Sequence, residues 1–314
     1  MDITYANTEA LLRFHRFHER LNRSIKVQVI GLRLLADKIE EQRPLQEIKD
    51  TLTSHNEFIG AMPDWTDPIG LVRSARFDIG RAGIVSAFSA FDLFLDEISA
   101  AVNRWRAFRE LPSIADRTAD KKSQDSGDAD RLDKMYRWLG AKLHTVSSMW
   151  PVYRYFRLSR DCIVHRDGRA SAALAEQSVA SDVQAAIGQW VLKTGEQLPP
   201  DILRLSKGDT IDFTSRHAIA ASSILRLAAL DLNRQVIQEL GRSGFVYLTA
   251  HEGFLAPEPL FDRQRGGTML RALNWLLADR YRVRDVREVE TARTLRALGL
   301  TKRCSKAFEE LRAS

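Results

Sequence analysis

The chain has 314 residues, of which 44% are hydrophobic and 28% charged, and its formal net charge is +6. This length and apolar content suffice for one large domain or two modest ones. No apolar run approaches the ~20 residues of a membrane span, and the N-terminus lacks a basic region followed by an apolar core, so we expect a cytoplasmic protein. Cys162 and Cys304 lie far apart and outside any metal-ligand pattern, and are expected to be free thiols.

Hydrophobic spacing predicts two long helices early in the chain. From Thr8 to about Gln42 apolar residues recur at three- and four-residue steps, which predicts a helix roughly 50 Å long. Thr66-Asp67-Pro68 is typical of a helix start, and the helix after it has an apolar stripe of Ile84, Phe88, Phe91, Leu95, Ile98 and Val102. Such seams offer more apolar surface than one small bundle needs, so we predict a homodimer.

Polar residues within these helices are interpreted as structural. His18 and Gln28 occupy seam positions, where a polar side chain sets the packing register more often than it performs chemistry. Asp92 and Asp96 lie one turn apart, but no third ligand follows at a suitable spacing. We therefore expect the two carboxylates to face solvent or another subunit and predict no metal site and no cofactor.

A polar segment separates these helices from the next ones. Residues 112–130 cannot form a core and are predicted to be a mobile loop. Helical spacing resumes from Leu132 to Leu143, and Pro151 then opens another helix.

The chemistry of the chain is concentrated between Tyr153 and Gly168. Arg160 and His165, with Asp161 between them, lie near the end of an apolar helical segment that Gly168 stops. Arginine is a permanent cation with a planar fork of donors suited to phosphate oxygens, and histidine exchanges a proton near pH 7. The two could cleave a phosphodiester without a metal. Such pairs also occur on solvated helix faces, and that interpretation stays open.

The six residues from Arg160 to His165 resemble the signature of the HEPN ribonucleases, in which Arg, a polar residue, a short spacer and His lie near the end of a bundle helix. The segment from Ile84 to Glu97 is similar to an earlier helix of that family, and the resemblance covers about residues 70–240. It implies that Arg160, His165 and Asp161 form the catalytic site. Many members of the family carry Asn where this chain has Asp161.

Residues five apart on an ideal helix point about 140° away from each other. Arg160 and His165 would therefore share a face only if the helix loosens before Gly168, or the site is assembled from more than one chain. The HEPN resemblance implies the second arrangement, since two copies in that family commonly dimerise with both motifs lining one cleft.

The rest of the chain is predicted to close a helical domain and to add a smaller one. The segment from Ile202 to Phe213 is predicted to be a small hairpin turning at Gly208, followed by a helix that ends near Gly241. Phe245 to Leu248 is predicted to be a strand, and helices are predicted for residues 269–279 and 287–298. The fold class is thus mainly α: a HEPN-like helical domain over residues 1–241 and a basic α/β C-terminal module over residues 242–314.

The basic character of that module suggests its partners. Residues 262–314 contain 13 Lys and Arg against 7 Asp and Glu, a balance of +6, so the remainder of the chain is neutral. This asymmetry favours contact with a polyanion, although a solvated surface or a partner-docking face is equally compatible with it.

Motifs for other chemistries are absent from the sequence. Residues 265–268 lack the lysine of a phosphate-binding loop, His251-Glu252 is not followed by the second histidine of a zinc protease, and no Gly-x-Ser-x-Gly elbow occurs. The prediction is a metal-independent endoribonuclease of the HEPN kind, acting as a toxin or defence effector in a prokaryotic cell. Its partners would be RNA and an antitoxin or regulatory protein. The alternative is a non-catalytic dimeric RNA-binding, regulatory or partner-docking protein.

Overall fold

The computed structural model describes residues 1–40, 65–114, 131–141, 146–195, 201–261 and 267–313, and positions 47, 50 and 54 between them. Three long helices dominate this part of the chain. In chain order the helices are α1 (Glu9–Glu40), α2 (Pro68–Phe108), α3 (Arg131–Leu139), α4 (Trp150–His165), α5 (Ala172–Val179), α6 (Ser181–Gly188), α7 (Trp190–Thr194), α8 (Ser215–Ala250), α9 (Met269–Tyr281), α10 (Glu288–Ala297) and α11 (Thr301–Ala313). The mainly α fold class is confirmed.

The helix starts follow from local sequence. The side chain of Asp67 accepts a hydrogen bond from the Gly70 N–H at 2.9 Å, one turn into α2, and Pro68 is the first residue of that helix. Ser171 caps α5 by accepting from the Leu174 N–H, and Thr268 caps α9 in the same way. A short polar side chain at these positions satisfies an N–H that the helix itself leaves without an acceptor.

Two predicted β elements are wrong. Phe245 to Leu248 lie inside α8, which continues past a non-helical Gly241 (φ 56°, ψ −171°) to Ala250. The arms of the predicted hairpin do not pair with each other, although the turn around Gly208 forms. Within the described ranges we find no strand, only isolated bridges at Asp2 with Arg284 and Arg169 with Thr210. The described part of residues 242–314 is accordingly helical.

Spatial proximity groups the chain into two units that each draw on separate segments. Unit 1 comprises Met1–His15, Phe91–His144 and Ala228–Ser314, and unit 2 comprises Arg16–Ala90 and Thr145–Leu227. The domain boundary at residue 241 stays a prediction. The mobile loop predicted for residues 112–130 lies outside the described residues from position 115 onward. None of the helices in the described ranges is long and apolar enough to span a membrane.

Unit 1 combines an aromatic core with a partly buried ionic network. Phe14 packs against Phe91 and Phe94, with ring centroids 5.7 and 5.6 Å apart. The hydroxyl of Tyr136 donates to the carboxylate of Asp231 at 2.5 Å, and both side chains are buried. Burial, together with this hydrogen bond, raises the pKa of Tyr136.

The ionic network of unit 1 is centred on Glu252, in the π-helical turn His251–Leu255. Its carboxylate accepts from the Tyr281 hydroxyl at 2.8 Å and from Arg104 at 3.2 Å, and lies 3.6 Å from Arg280. Arg280 also pairs with Glu9. Although burial raises the pKa of Glu252, its hydrogen bonds and nearby arginines favour the ionised form.

Unit 2 is held together by aromatic packing and by a close backbone approach. Tyr155 and Phe156 of α4 pack against Phe213, with centroids 6.0 and 6.2 Å away. On α2, a Cβ at Gly80 would overlap the backbone of Phe213, and one at Gly83 would lie 2.7 Å from the Cβ of Ala218. The absence of side chains at these two positions lets α2 approach the start of α8.

Of the two polar residues on the α1 seam, His18 has a structural partner, whereas Gln28 is exposed. His18 Nδ1 lies 2.7 Å from the Ser222 hydroxyl in unit 2. In unit 1, Asp92 and Asp96 both pair with Arg131, the first at 3.8 Å. Both carboxylates lie at the surface, with side chains 39% and 62% exposed.

Candidate functional site

Helix α4 carries the Arg160 to His165 motif and is positioned by its apolar face. Pro151 lies in its first turn, where a missing N–H costs nothing. One face of the helix is buried and packs against α5 and α6. The buried residues are Val152, Tyr153, Tyr155, Phe156, Ser159 and Cys162. The motif therefore projects from a helix whose rotation is fixed by the core of unit 2.

The carboxylate of Asp161 holds two arginines. Arg160 donates from Nη1 to Oδ1 of Asp161 at 2.9 Å, and Arg157 Nε lies 3.4 Å from Oδ2. The side chains of Arg160 and Asp161 are 23% and 38% exposed, so both remain reachable by a ligand. Sequence reasoning missed Arg157, although its spacing of four from Asp161 is the signal for such a pair.

His165 is the last residue of α4 and its side chain is exposed. The helix stays regular through this residue, so it does not loosen beforehand to swing the imidazole toward Arg160. Five helical positions separate the two side chains by about 140° in direction and roughly 7.5 Å along the axis. The Cα–Cβ bonds of Arg160 and His165 thus point apart, while the Arg160 guanidinium turns toward Asp161. His165 instead lies one turn beyond Asp161, on the same face.

The end of α4 is tightly closed. The carbonyl of Cys162 accepts hydrogen bonds from the N–H groups of Arg166 and Gly168, at 3.0 and 3.1 Å, and Gly168 adopts a φ of 70°. The Gly168 carbonyl in turn accepts from the Ile211 N–H at 2.9 Å. Ala170 pairs with the turn around Gly208: its N–H donates to the Asp209 carbonyl, and its carbonyl accepts from the Gly208 N–H. The segment expected to form a hairpin therefore pairs with residues 168–170 and anchors the chain just after His165.

The surface of α4 and its end is rich in arginine. Between Arg154 and Arg169 the sequence has five Arg and two Asp. Arg154, Arg166 and Arg169 are exposed, and a guanidinium from α2, that of Arg81, lies beside Gly168, 3.4 Å from where a Cβ would be. A concentration of guanidinium groups favours phosphate oxygens, because each offers several fixed donors.

Neither thiol has the features of a nucleophile. Cys162 and Cys304 are both free, as predicted, and both are buried. Burial raises the pKa of the Cys304 thiol to about 11, which keeps it protonated at neutral pH. In the part of the chain that the structure describes, no three His, Cys, Asp or Glu side chains are grouped closely enough to hold a metal ion.

Comparisons of the chain with protein-family profiles, with curated proteins and with solved structures return no match. Any functional conclusion for α4 therefore rests on the chemistry of its own residues and on their arrangement.

Proposed function

We propose that this chain is a metal-independent endoribonuclease whose catalytic residues are Arg160, His165 and Asp161. The observation that carries the proposal is the ordered guanidinium of Arg160, held at 2.9 Å by Asp161 on a helix that ends in an exposed histidine. An oriented cation and an accessible imidazole are the two groups that phosphodiester cleavage by a ribose hydroxyl needs.

In the proposed reaction the substrate supplies its own nucleophile. His165 takes the proton of the ribose 2′-hydroxyl while the 2′-oxygen bonds to phosphorus. The bond from phosphorus to the 5′-oxygen breaks as that oxygen takes a proton from solvent water, to which His165 then releases the proton that it gained. Arg160 stabilises the extra negative charge on the phosphorane, and Asp161 keeps the guanidinium in place. The products are a 2′,3′-cyclic phosphate and a free 5′-hydroxyl. General acid–base catalysis contributes about 10² to 10⁴ in rate.

The proposal requires a second copy of the chain. Because Arg160 and His165 project from different faces of α4, the imidazole of one copy would meet the guanidinium of another. Helix α1 offers an apolar face for such an association: Val27, Ile30 and Leu34 recur on one side of it and are 69%, 59% and 59% exposed. Two-fold association of identical chains is the commonest arrangement of oligomers.

The HEPN-like character of the fold belongs to the same proposal. A long helix, α2, precedes the motif helix in sequence, and the motif lies in the last turns of α4, as in the family that the sequence resembles. We extend the proposal to a cytoplasmic toxin or defence effector controlled by an antitoxin or regulatory protein.

The experiment is cleavage of a labelled RNA that contains single-stranded and looped regions, in buffer with EDTA. Wild type should cut it and leave 2′,3′-cyclic phosphate ends, and a DNA of the same sequence should stay intact. Arg160→Ala and His165→Ala should lower the rate by a factor of about 10² or more. Arg73→Ala is the matched control and should cut like wild type, because Arg73 is exposed on α2 and belongs neither to the motif nor to the arginine-rich segment 154–169. Equal cleavage by all four proteins, or cleavage that needs magnesium or manganese, would contradict the proposal.

A second candidate function is non-catalytic binding of RNA or of a protein partner. The observation that favours it is that Asp161 pairs with both Arg157 and Arg160, as a purely structural carboxylate would. Under this alternative, wild type would bind the labelled RNA without cutting it, and His165→Ala would leave the affinity unchanged.

A further inference from the structure

Unit 1 contains an open cavity of about 680 Å³ that we call the arginine cleft. It is formed by the N-terminal segment, α8 and the connection after α9. Arg234, Arg282 and Arg284 line it, and no carboxylate is among the described residues that do so. Three guanidinium groups in one concave site create a local positive potential, which favours an anionic ligand.

The backbone holds the two arginines of the connection on one side. Arg282 adopts a left-handed conformation (φ 54°, ψ 26°) that ordinary residues avoid. The Val283 side chain is buried, whereas those of Arg282 and Arg284 are exposed and line the cleft. Asp2 and Arg284 exchange both backbone hydrogen bonds, at 2.8 and 3.0 Å, which fixes this edge against the N-terminal segment.

Aromatic and amide groups complete the cleft. The Tyr5 ring is 61% exposed, and the guanidinium of Arg284 lies over it, 4.7 Å from its centroid. Asn233 uses its Oδ1 to accept from the N–H and the hydroxyl of Thr8, at 3.0 and 2.7 Å. The side-chain amide nitrogen of Asn233 can therefore donate a hydrogen bond to a ligand in the cleft. The apolar part of the lining includes Leu230 and Ile237.

We propose that the arginine cleft binds a nucleoside phosphate. The phosphates would lie among Arg234, Arg282 and Arg284, and the planar base would lie against Tyr5 and the apolar lining. The volume matches the range of small-molecule sites, in which a mostly apolar wall carries a few placed polar groups. Arginine suits this ligand because its fork of donors matches phosphate oxygens and its plane stacks on aromatic rings. This site lies outside α4 and does not depend on the ribonuclease proposal.

Calorimetric titration of the full chain with adenosine, AMP, ADP, ATP and pyrophosphate tests the inference. ADP and ATP should bind more tightly than adenosine, and Tyr5→Ala should weaken the nucleotides while leaving pyrophosphate unchanged. Arg284→Gln should weaken ADP about tenfold, the size of one lost charge-assisted hydrogen bond. Arg293→Gln is the matched control, since Arg293 is exposed on α10 and does not line the cleft.

The variant Arg282→Gly distinguishes a ligand-binding role of the Arg282 side chain from a structural one. Glycine adopts the left-handed conformation without penalty, so Arg282→Gly should raise the melting temperature or leave it unchanged while it weakens ADP about tenfold. Unchanged affinity in Arg282→Gly and Arg284→Gln would overturn the proposal. So would equal binding of adenosine and ADP, no binding of any nucleotide, or binding of RNA oligonucleotides alone.

Discussion

Arg160 donates a hydrogen bond to the carboxylate of the residue next to it, Asp161, across 2.9 Å. Neighbours on a helix point about 100° apart, so the long arginine side chain must bend around the helix to reach its partner. The guanidinium is thereby confined near the helix surface, beside the Asp161 carboxylate. Its orientation depends on one short acidic side chain.

Asp161→Ala should release the Arg160 guanidinium and lower RNA cleavage about 10- to 100-fold, since an acceptor for a charged donor is worth about 1.5–3 kcal/mol. Asp161→Asn keeps an oxygen acceptor, so its rate of RNA cleavage should fall less than that of Asp161→Ala. Stability should change by less than about 1 kcal/mol in both, because exposed pairs contribute little. Initial cleavage rates and urea denaturation measure the two effects. Wild-type cleavage rates in both variants would show that the acceptor is irrelevant.

Mixed dimers test whether the site is shared between copies. If Arg160 of one chain works with His165 of another, unfolding and refolding equal amounts of Arg160→Ala and His165→Ala should restore roughly a quarter of wild-type activity. Half of the dimers would be mixed, and each would have one intact site of two. Each variant refolded alone is the control. A chain that cleaves RNA as a monomer in sedimentation experiments would exclude this arrangement.

Substitutions of Arg280 and of Arg287 should have very different effects on the stability of the protein, although both residues lie in the basic C-terminal region. Arg280 is 17% exposed and pairs with Glu9 and Glu252, so Arg280→Gln removes one of the cations around two partly buried carboxylates and should cost about 1–3 kcal/mol. Arg287 is exposed, and Arg287→Gln should stay within about 0.5 kcal/mol. Chemical denaturation monitored by circular dichroism measures both. Similar stabilities would mean that the Glu252 network contributes nothing.

His217 should make the stability of the protein depend on pH. Burial lowers its pKa below the usual 6.5, so the unfolded chain takes up a proton at a higher pH than the folded one. The free energy of unfolding should therefore fall as the pH drops below 6.5 toward the folded-state pKa. Above pH 6.5 the titration of His217 should not change the free energy of unfolding. His217→Gln should flatten this slope between pH 5 and 7 in denaturation curves. An unchanged slope would assign the dependence to other groups, such as His251, whose pKa burial also lowers.

Long apolar stripes made most helices predictable. The periodicity from Thr8 to Gln42 and the capped start at Asp67 correspond to α1 and α2 within two residues. Phe245 to Leu248 were misassigned because four consecutive apolar residues satisfy a strand and a buried helix equally well. In the structure Phe245, Val246 and Leu248 are all buried on one helix. The pairing of residues 168–170 with residues 208–211 spans some 40 positions, and no local pattern encodes such a distant partner.

The helical placement of the motif was predictable from sequence, but the residues that surround it in space were not. The motif led to Arg160, Asp161 and His165, and ideal helical geometry anticipated that the first and last would face apart. Arg157, which supplies the second guanidinium on Asp161, lies four residues before it, and residues at this spacing are neighbours on a helix surface. Arg81 reaches the end of α4 from another helix, and only tertiary structure could reveal that contact.

The glycines of α2 and α1 lead to opposite expectations for a saturation library. Position 80 has no room for even one methyl group, so selection for folding should return only glycine there. At position 83 a methyl group would crowd the Cβ of Ala218, so side chains larger than that of glycine should be rejected. Gly31 is exposed in the middle of α1, and a methyl group added there would meet nothing within 4 Å. Alanine there should be enriched, because it relieves the helix of about 0.5–1 kcal/mol of backbone entropy cost. One residue type thus marks both the least and the most substitutable points of the helical framework.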